Sequence, residues 1–149
     1  MKKIVIIGAN DFQNQLILKA KEMGFETHVF AWQDGSIGER TADHFYPVSI
    51  VEIDEILEKC REIKPDAVAT IASDLANITV SKVAAGLGLP GNTPECIELS
   101  TNKYAMRSAF LKAGLPTPKF YKVDRVIPEL MEMELPVIVK PTDRSGSRA

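Results

Sequence analysis

Cysteine is scarce in this chain: Cys60 and Cys96 are the only two among 149 residues. They lie far apart, and neither has a second Cys or a His at ligand spacing. That argues against a disulfide framework or a zinc site and for a reduced, cytoplasmic protein. Long apolar runs are missing too, and none approaches the ~18 residues a membrane span requires. The N-terminal run over residues 1–8 stops at Gly8, and polar Asn10, Asp11 and Gln13 follow. It reads as a first strand rather than a signal peptide. No charge of one sign dominates. Eighteen Lys and Arg stand against 20 Asp and Glu, a net charge of −2, so nothing in the electrostatics favours nucleic acid as a partner. Repeats and low-complexity segments are also absent. What remains is ordinary globular material, 45% hydrophobic and 26% charged, long enough to bury a core.

The apolar patterning predicts an α/β protein. Residues 3–8 form a β-branched run ending in glycine, a buried strand. Phe12, Leu16, Ala20 and Met23 recur at helical spacing before Gly24, and residues 27–32 read as a second strand, with Trp32 packing at its end. Asp34 to Gly38 reads as a loop. A short third strand is expected over 44–48. Ser49 and Glu52 have capping-box spacing ahead of a helix whose apolar stripe is Ile53, Ile56, Leu57, Cys60 and Ile63. Pro65 closes that helix, residues 66–72 form a fourth strand, and a helix over 75–85 follows. This is the alternation of an open parallel sheet. Two helices are expected between Thr93 and Lys112. Strands are expected over 119–123 and up to Lys140, with a charged helix starting near Pro128 between them. Two strands and a helix cannot bury a core alone, so this last segment reads as the start of an unfinished domain.

Several residues stand where chemistry is possible. In the run 135–149, Lys140 ends an apolar strand on the face shared with Ile138. Ser145, Gly146, Ser147 and Arg148 then form a small-residue basic loop whose backbone N–H groups can approach an anion. The bland alternative is a strand-end lysine reaching into water. Ser73 and Asp74 follow the fourth strand, where ligands of open α/β sheets bind, although either residue would also serve as a helix cap. Lys103 places a cation in the first turn of a helix, against the macrodipole, unless an anion is near; the alternative is a solvated surface lysine. The first turn, Gly8-Ala9-Asn10-Asp11-Phe12-Gln13, lacks the second and third glycines of a dinucleotide fingerprint, so NAD binding is disfavoured even with Asp34 near the ribose-acid position. His28 and His44 are isolated in sequence and read as structural.

Three stretches together resemble an ATP-grasp ligase. One runs from Asp66 through Thr70 and Asp74 to Gly88-Leu89-Pro90-Gly91-Asn92-Thr93-Pro94-Glu95. Another is Thr101-Asn102-Lys103-Tyr104-Ala105-Met106-Arg107, continuing to Ala113-Gly114-Leu115-Pro116-Thr117-Pro118. The last is Leu135-Pro136-Val137-Ile138-Val139-Lys140-Pro141 with Gly146-Ser147-Arg148. The resemblance is closest to the biotin carboxylase, carbamoyl-phosphate synthetase and phosphoribosylglycinamide-related branch. It implies a Rossmann-like open parallel sheet over residues 1–92 (the pre-ATP-grasp domain), a helical linker over 93–117, and over 118–149 the start of an ATP-grasp α+β subdomain, truncated in the glycine-rich loop. Lys103, Lys140, Ser145, Gly146, Ser147 and Arg148 would then contact ATP, and Ser73 and Asp74 the acceptor substrate. Ala149 departs from the family pattern, standing where glycine is common. No catalytic residue and no Mg²⁺ ligand is matched in this stretch; the acidic metal ligands are expected outside it.

The implied activity is ATP- and Mg²⁺-dependent activation of a small-molecule carboxylate as an acyl phosphate for attack by an amine or similar nucleophile. A cytoplasmic homo-oligomer, such as a dimer, is the expected setting, with no nucleic-acid or membrane partner. The chain alone is expected to be inactive. The alternative is a stand-alone α/β binding or dimerisation module without catalysis.

Overall fold

A computed structural model of the chain describes residues 1–125, 130 and 132–143. It divides into two units, Met1–Ile97 and Glu98–Ala149. In the first, strands β1 (Lys3–Ile7), β2 (Glu26–Phe30), β3 (His44–Tyr46) and β4 (Ala67–Ala69) form one all-parallel sheet in the order β3-β2-β1-β4. The helices are α1 (Asp11–Glu22), α2 (Ile37–Thr41), α3 (Ile53–Ile63), α4 (Asp74–Gly86), α5 (Pro94–Thr101) and α6 (Lys103–Lys112). Among the described residues, no helix is long and apolar enough to cross a membrane.

Alternation along the strands divides the core in two. Ile4, Ile6 and Val29 pack with Ile17 and Ala20 of α1 on one face. Val5, Ile7 and Phe30 pack with Ile56, Cys60 and Val83 of α3 and α4 on the other. Cys60 is the small buried hydrophobe expected from the α3 stripe, and burial pushes its thiol up to about 12. Cys96 is exposed, and neither cysteine is in a disulfide.

A polar clasp fixes the connection into β3. Asp43 accepts from the Thr27 N–H at 2.9 Å, the Thr27 hydroxyl at 2.8 Å and the Lys21 ammonium at 2.7 Å. The Lys21 ammonium and the Thr27 donors hold the Asp43 carboxyl down to about 2.

Several local expectations give way. The α1 stripe is rotated: Gln13, Asn14, Ile17 and Ala20 are buried, whereas Phe12 and Met23 are each 64% exposed. Trp32 is exposed rather than packed. The supposed loop at 34–38 contains the start of α2. Ser49 and Glu52 form no capping box. The Glu52 N–H donates to the Ser49 carbonyl in a turn, Glu52 itself becomes the N-cap without a side-chain bond, and α3 starts at Ile53. Strand β4 is shorter than predicted, ending at Ala69. Residues 119–123 and 137–140 are not strands, and Ile138 and Val139 lie exposed. A strand needs a ladder partner, and the described residues of the second unit supply none. The helix expected near Pro128 falls outside the described residues.

Candidate functional site

In the first unit the chain winds from β1 through β2 to β3 on one side, then returns to β4 on the other side of β1. The direction reverses between β1 and β4, where an open α/β sheet places its ligand crevice beyond the carboxyl ends of the strands. Residues 8–10 line one side of that point and residues 70–74 the other. Gly8 takes φ +100° to turn out of β1. A Cβ there would press on the Gln13 side chain at 3.0 Å. Gln13 is almost wholly buried, and its amide donates to the Ile71 carbonyl, tying the first turn to the loop after β4. Thr70 adds a second tie, its hydroxyl donating to the Ile7 carbonyl at 2.7 Å.

These contacts explain why the first turn suits no dinucleotide. The Gln13 side chain fills the space over Gly8. Asn10 Oδ1 caps α1, accepting from the N–H groups of Phe12 at 3.0 Å and Gln13 at 3.4 Å, so helix donors that could meet a pyrophosphate are engaged. The exposed Asp34 carboxylate is engaged by its own loop, accepting from the Ser36 hydroxyl and N–H, which hold it below the usual range.

Ser73 and Asp74 sit on the β4 side of this crevice. Ser73 is the N-cap of α4, its hydroxyl accepting from the Ala76 N–H at 3.2 Å, and Asp74 opens the first helical turn. Just before them Ala72 takes φ +56°, a left-handed conformation unusual for a residue with a Cβ. The strain bends the chain at the loop that carries both residues.

In the second unit Lys103 is the first residue of α6, with Asn102 capping the helix through bonds from Tyr104 N at 3.0 Å and Ala105 N at 3.1 Å. The Lys103 backbone N–H donates to the Thr142 carbonyl at 2.8 Å. That bond brings the helix start beside the segment carrying Lys140, which is exposed. Sequence reasoning singled out both lysines but missed Thr142, whose carbonyl accepts from the Lys103 backbone N–H. An open depression of about 590 Å³ lies between α6 and residues 117–121, lined by Tyr104, Leu111, Phe120 and Tyr121 among others. Neither Lys103 nor Lys140 lines it. Ser145, Gly146, Ser147 and Arg148 lie outside the described residues.

The opposite edge of the sheet holds a cluster the sequence did not reveal. Glu26 and His28 alternate onto one face of β2, and the parallel register sets His28 directly beside His44 of β3. The two imidazoles stack with centroids 4.5 Å apart. Burial and the neighbouring His44 hold His28 below the usual imidazole range.

No family model matches the chain. It is 37% identical over 83 residues to the uncharacterized protein y4rH of Sinorhizobium fredii, covering 53% of this chain and 17% of that one. It is 22% identical over 152 residues to a formate-dependent phosphoribosylglycinamide formyltransferase of Prochlorococcus marinus subsp. pastoris, covering 99% and 39%. The chain thus spans well under half the length of these curated relatives. Phosphoribosylglycinamide synthetase from Anaerococcus prevotii superposes with TM-score 0.66 at 27% identity over 76% of this chain and 29% of that one. L-amino acid ligase from Bacillus licheniformis reaches 0.78 at 23% identity over 97% and 38%. A Hydrogenobacter thermophilus biotin carboxylase domain dimer, solved with MgADP and bicarbonate, reaches 0.64 at 20% identity over 78% and 28%. These structures are ATP-grasp ligases, and the likeness covers most of the chain. The resemblance read from the sequence holds, as does the α/β class with its all-parallel sheet.

Proposed function

We propose that this chain is the N-terminal portion of an ATP-dependent ligase that activates a carboxylate as an acyl phosphate for attack by an amine or similar nucleophile. The observation that carries the reading is the hydrogen bond from Lys103 N to Thr142 O, which sets the backbone at the start of α6 beside the segment that carries Lys140. A cation in the first turn of α6 opposes the helix dipole, and a bound polyphosphate would reverse that penalty. Lys103 and Lys140 fit such a group as point-charge donors, with residues 145–148 following in sequence as an anion-binding loop. Bound ATP with Mg²⁺ would supply the phosphoryl group, and the lysines would steady the charge that develops on it. In this reading the Mg²⁺ ligands lie outside residues 1–149.

In the same proposal residues 1–92 form the pre-ATP-grasp domain, 93–117 the linker and 118–149 the start of the ATP-grasp domain. Ser73 and Asp74 hold the acceptor at the β1–β4 crevice. Asp74 would accept from an amine or hydroxyl of a small-molecule substrate, and self-association into a cytoplasmic homo-oligomer fits the family's habit.

The test is nucleotide binding by the complete enzyme. Lys140→Met should weaken ATP binding by about tenfold or more, the worth of one charge-assisted hydrogen bond. Because Lys140 is exposed, the melting temperature should barely move. Unchanged affinity, or a variant that unfolds, would overturn the assignment. The 149-residue chain by itself should hydrolyse Mg-ATP no faster than its own Lys140→Met variant when carboxylates are present.

A further inference from the structure

We propose that Glu26, His28 and His44 form a binding site for one divalent transition-metal ion of zinc's class. The site lies at the amino-terminal ends of β2 and β3, on the edge of the sheet opposite Ser73 and Asp74, and it does not depend on the ligase reading. Glu26 Oε1 stands 2.9 Å from His44 Nε2 and 3.2 Å from His28 Nε2. One ligand atom from each of the three residues falls within 4.8 Å of the others. Zinc with bonds of about 2.0–2.2 Å at tetrahedral angles sets its ligand atoms roughly 3.3–3.5 Å apart, so the set closes on an ion when the half-exposed His44 ring turns out of its stack on His28.

A second feature points the same way. His28 is 4% exposed, and its Nε2 makes no well-formed hydrogen bond, facing the Glu26 carboxylate at 3.2 Å. Its other nitrogen is occupied, with Nδ1 2.9 Å from the Tyr46 hydroxyl. A buried imidazole with Nδ1 held and Nε2 unpartnered beside a carboxylate is the arrangement of an oriented metal ligand. Tyr46 is the positioning residue: it fixes which nitrogen faces the cluster. Two imidazoles and one carboxylate favour zinc over Mg²⁺ or Ca²⁺, which prefer all-oxygen sets. His44 and Glu26 are partly exposed, which gives an ion an entry path and leaves room for water as a fourth ligand. The Lys3 ammonium is nearby but donates to the Ile63 carbonyl at 3.2 Å.

The test uses the whole chain carrying Cys96→Ser, which removes the exposed thiol as a rival ligand. After chelator treatment, Zn²⁺ is titrated in competition with a chromophoric chelator. One equivalent should bind with a dissociation constant of about 1 μM or below, and millimolar Mg²⁺ should not displace it. His44→Gln and Glu26→Gln should each weaken binding at least tenfold and abolish the zinc-dependent rise in melting temperature. Tyr46→Phe should weaken it by about 10–100-fold, the usual worth of a partner behind a metal-binding imidazole. No saturable one-to-one binding, or wild-type affinity in both His44→Gln and Glu26→Gln, would overturn the site. Unchanged affinity in Tyr46→Phe would overturn its orienting role.

Discussion

Phe30→Ala should destabilise the first unit by about 3–5 kcal/mol, the usual cost of emptying a large aromatic site in a core. Phe30 is fully buried on the α3–α4 face of the sheet, beside Val5, Ile7, Ile56 and Val83. Its ring also stacks on Tyr46 at 4.6 Å, so truncation removes a ring contact along with apolar area. Phe12→Ala should move stability by no more than about 0.5 kcal/mol, because that ring is mostly in water. Urea unfolding of the two variants, followed by circular dichroism, measures the contrast. Equal losses would mean that the core lies on a different face from the one described.

That contrast also marks how far the sequence could be read. The strands expected over 3–8 and 27–32 were legible, though they end at Ile7 and Phe30, because β-branched runs ending at a glycine or a loop point to buried parallel strands. The apolar stripe of α3 was legible for the same kind of reason, since a period near 3.6 survives without knowledge of neighbours. Helix α1 was misread in phase. Its buried face is led by Gln13 and Asn14, and Gln13 serves the turn it closes rather than the core it enters. Apolar counting cannot detect a buried amide whose partner is the Ile71 carbonyl. Lys103 and Lys140 stood out by residue type and order, but the bond from Lys103 N–H to the Thr142 carbonyl is a backbone contact and leaves no compositional trace. His28 and His44 looked isolated because a parallel register, not a sequence spacing, makes them neighbours.

Gly38→Ala should cost about 2–3 kcal/mol, as overpacking does where the surroundings cannot yield. A Cβ at Gly38 would lie 2.6 Å from the Ala9 carbonyl oxygen and 2.9 Å from the Ala9 Cα. Both are backbone atoms of the turn out of β1, and that same oxygen accepts from the Gly38 N–H at 3.0 Å. Relief would require α2 and the turn to separate, losing the bond. Gly86→Ala provides the comparison. Its Cβ would meet only the Leu57 methyls at 2.8 and 2.9 Å. A side-chain end can rotate away, and alanine improves helix propensity by about 1 kcal/mol, so the net change should stay within about 1 kcal/mol. If Gly38→Ala proves as mild as Gly86→Ala in the same denaturation assay, the close approach of α2 to the first turn is wrong.

Trp32 has an optical consequence. It is the single tryptophan of the chain and stands, 67% exposed, just beyond β2 at the carboxyl edge of the sheet. Its indole emission should be that of a water-bathed fluorophore, readily quenched by acrylamide, and should change little when the core melts. The same placement makes it a built-in reporter of anything that settles on that edge. Titrating small carboxylates or amines against intrinsic fluorescence would register their arrival there without a label.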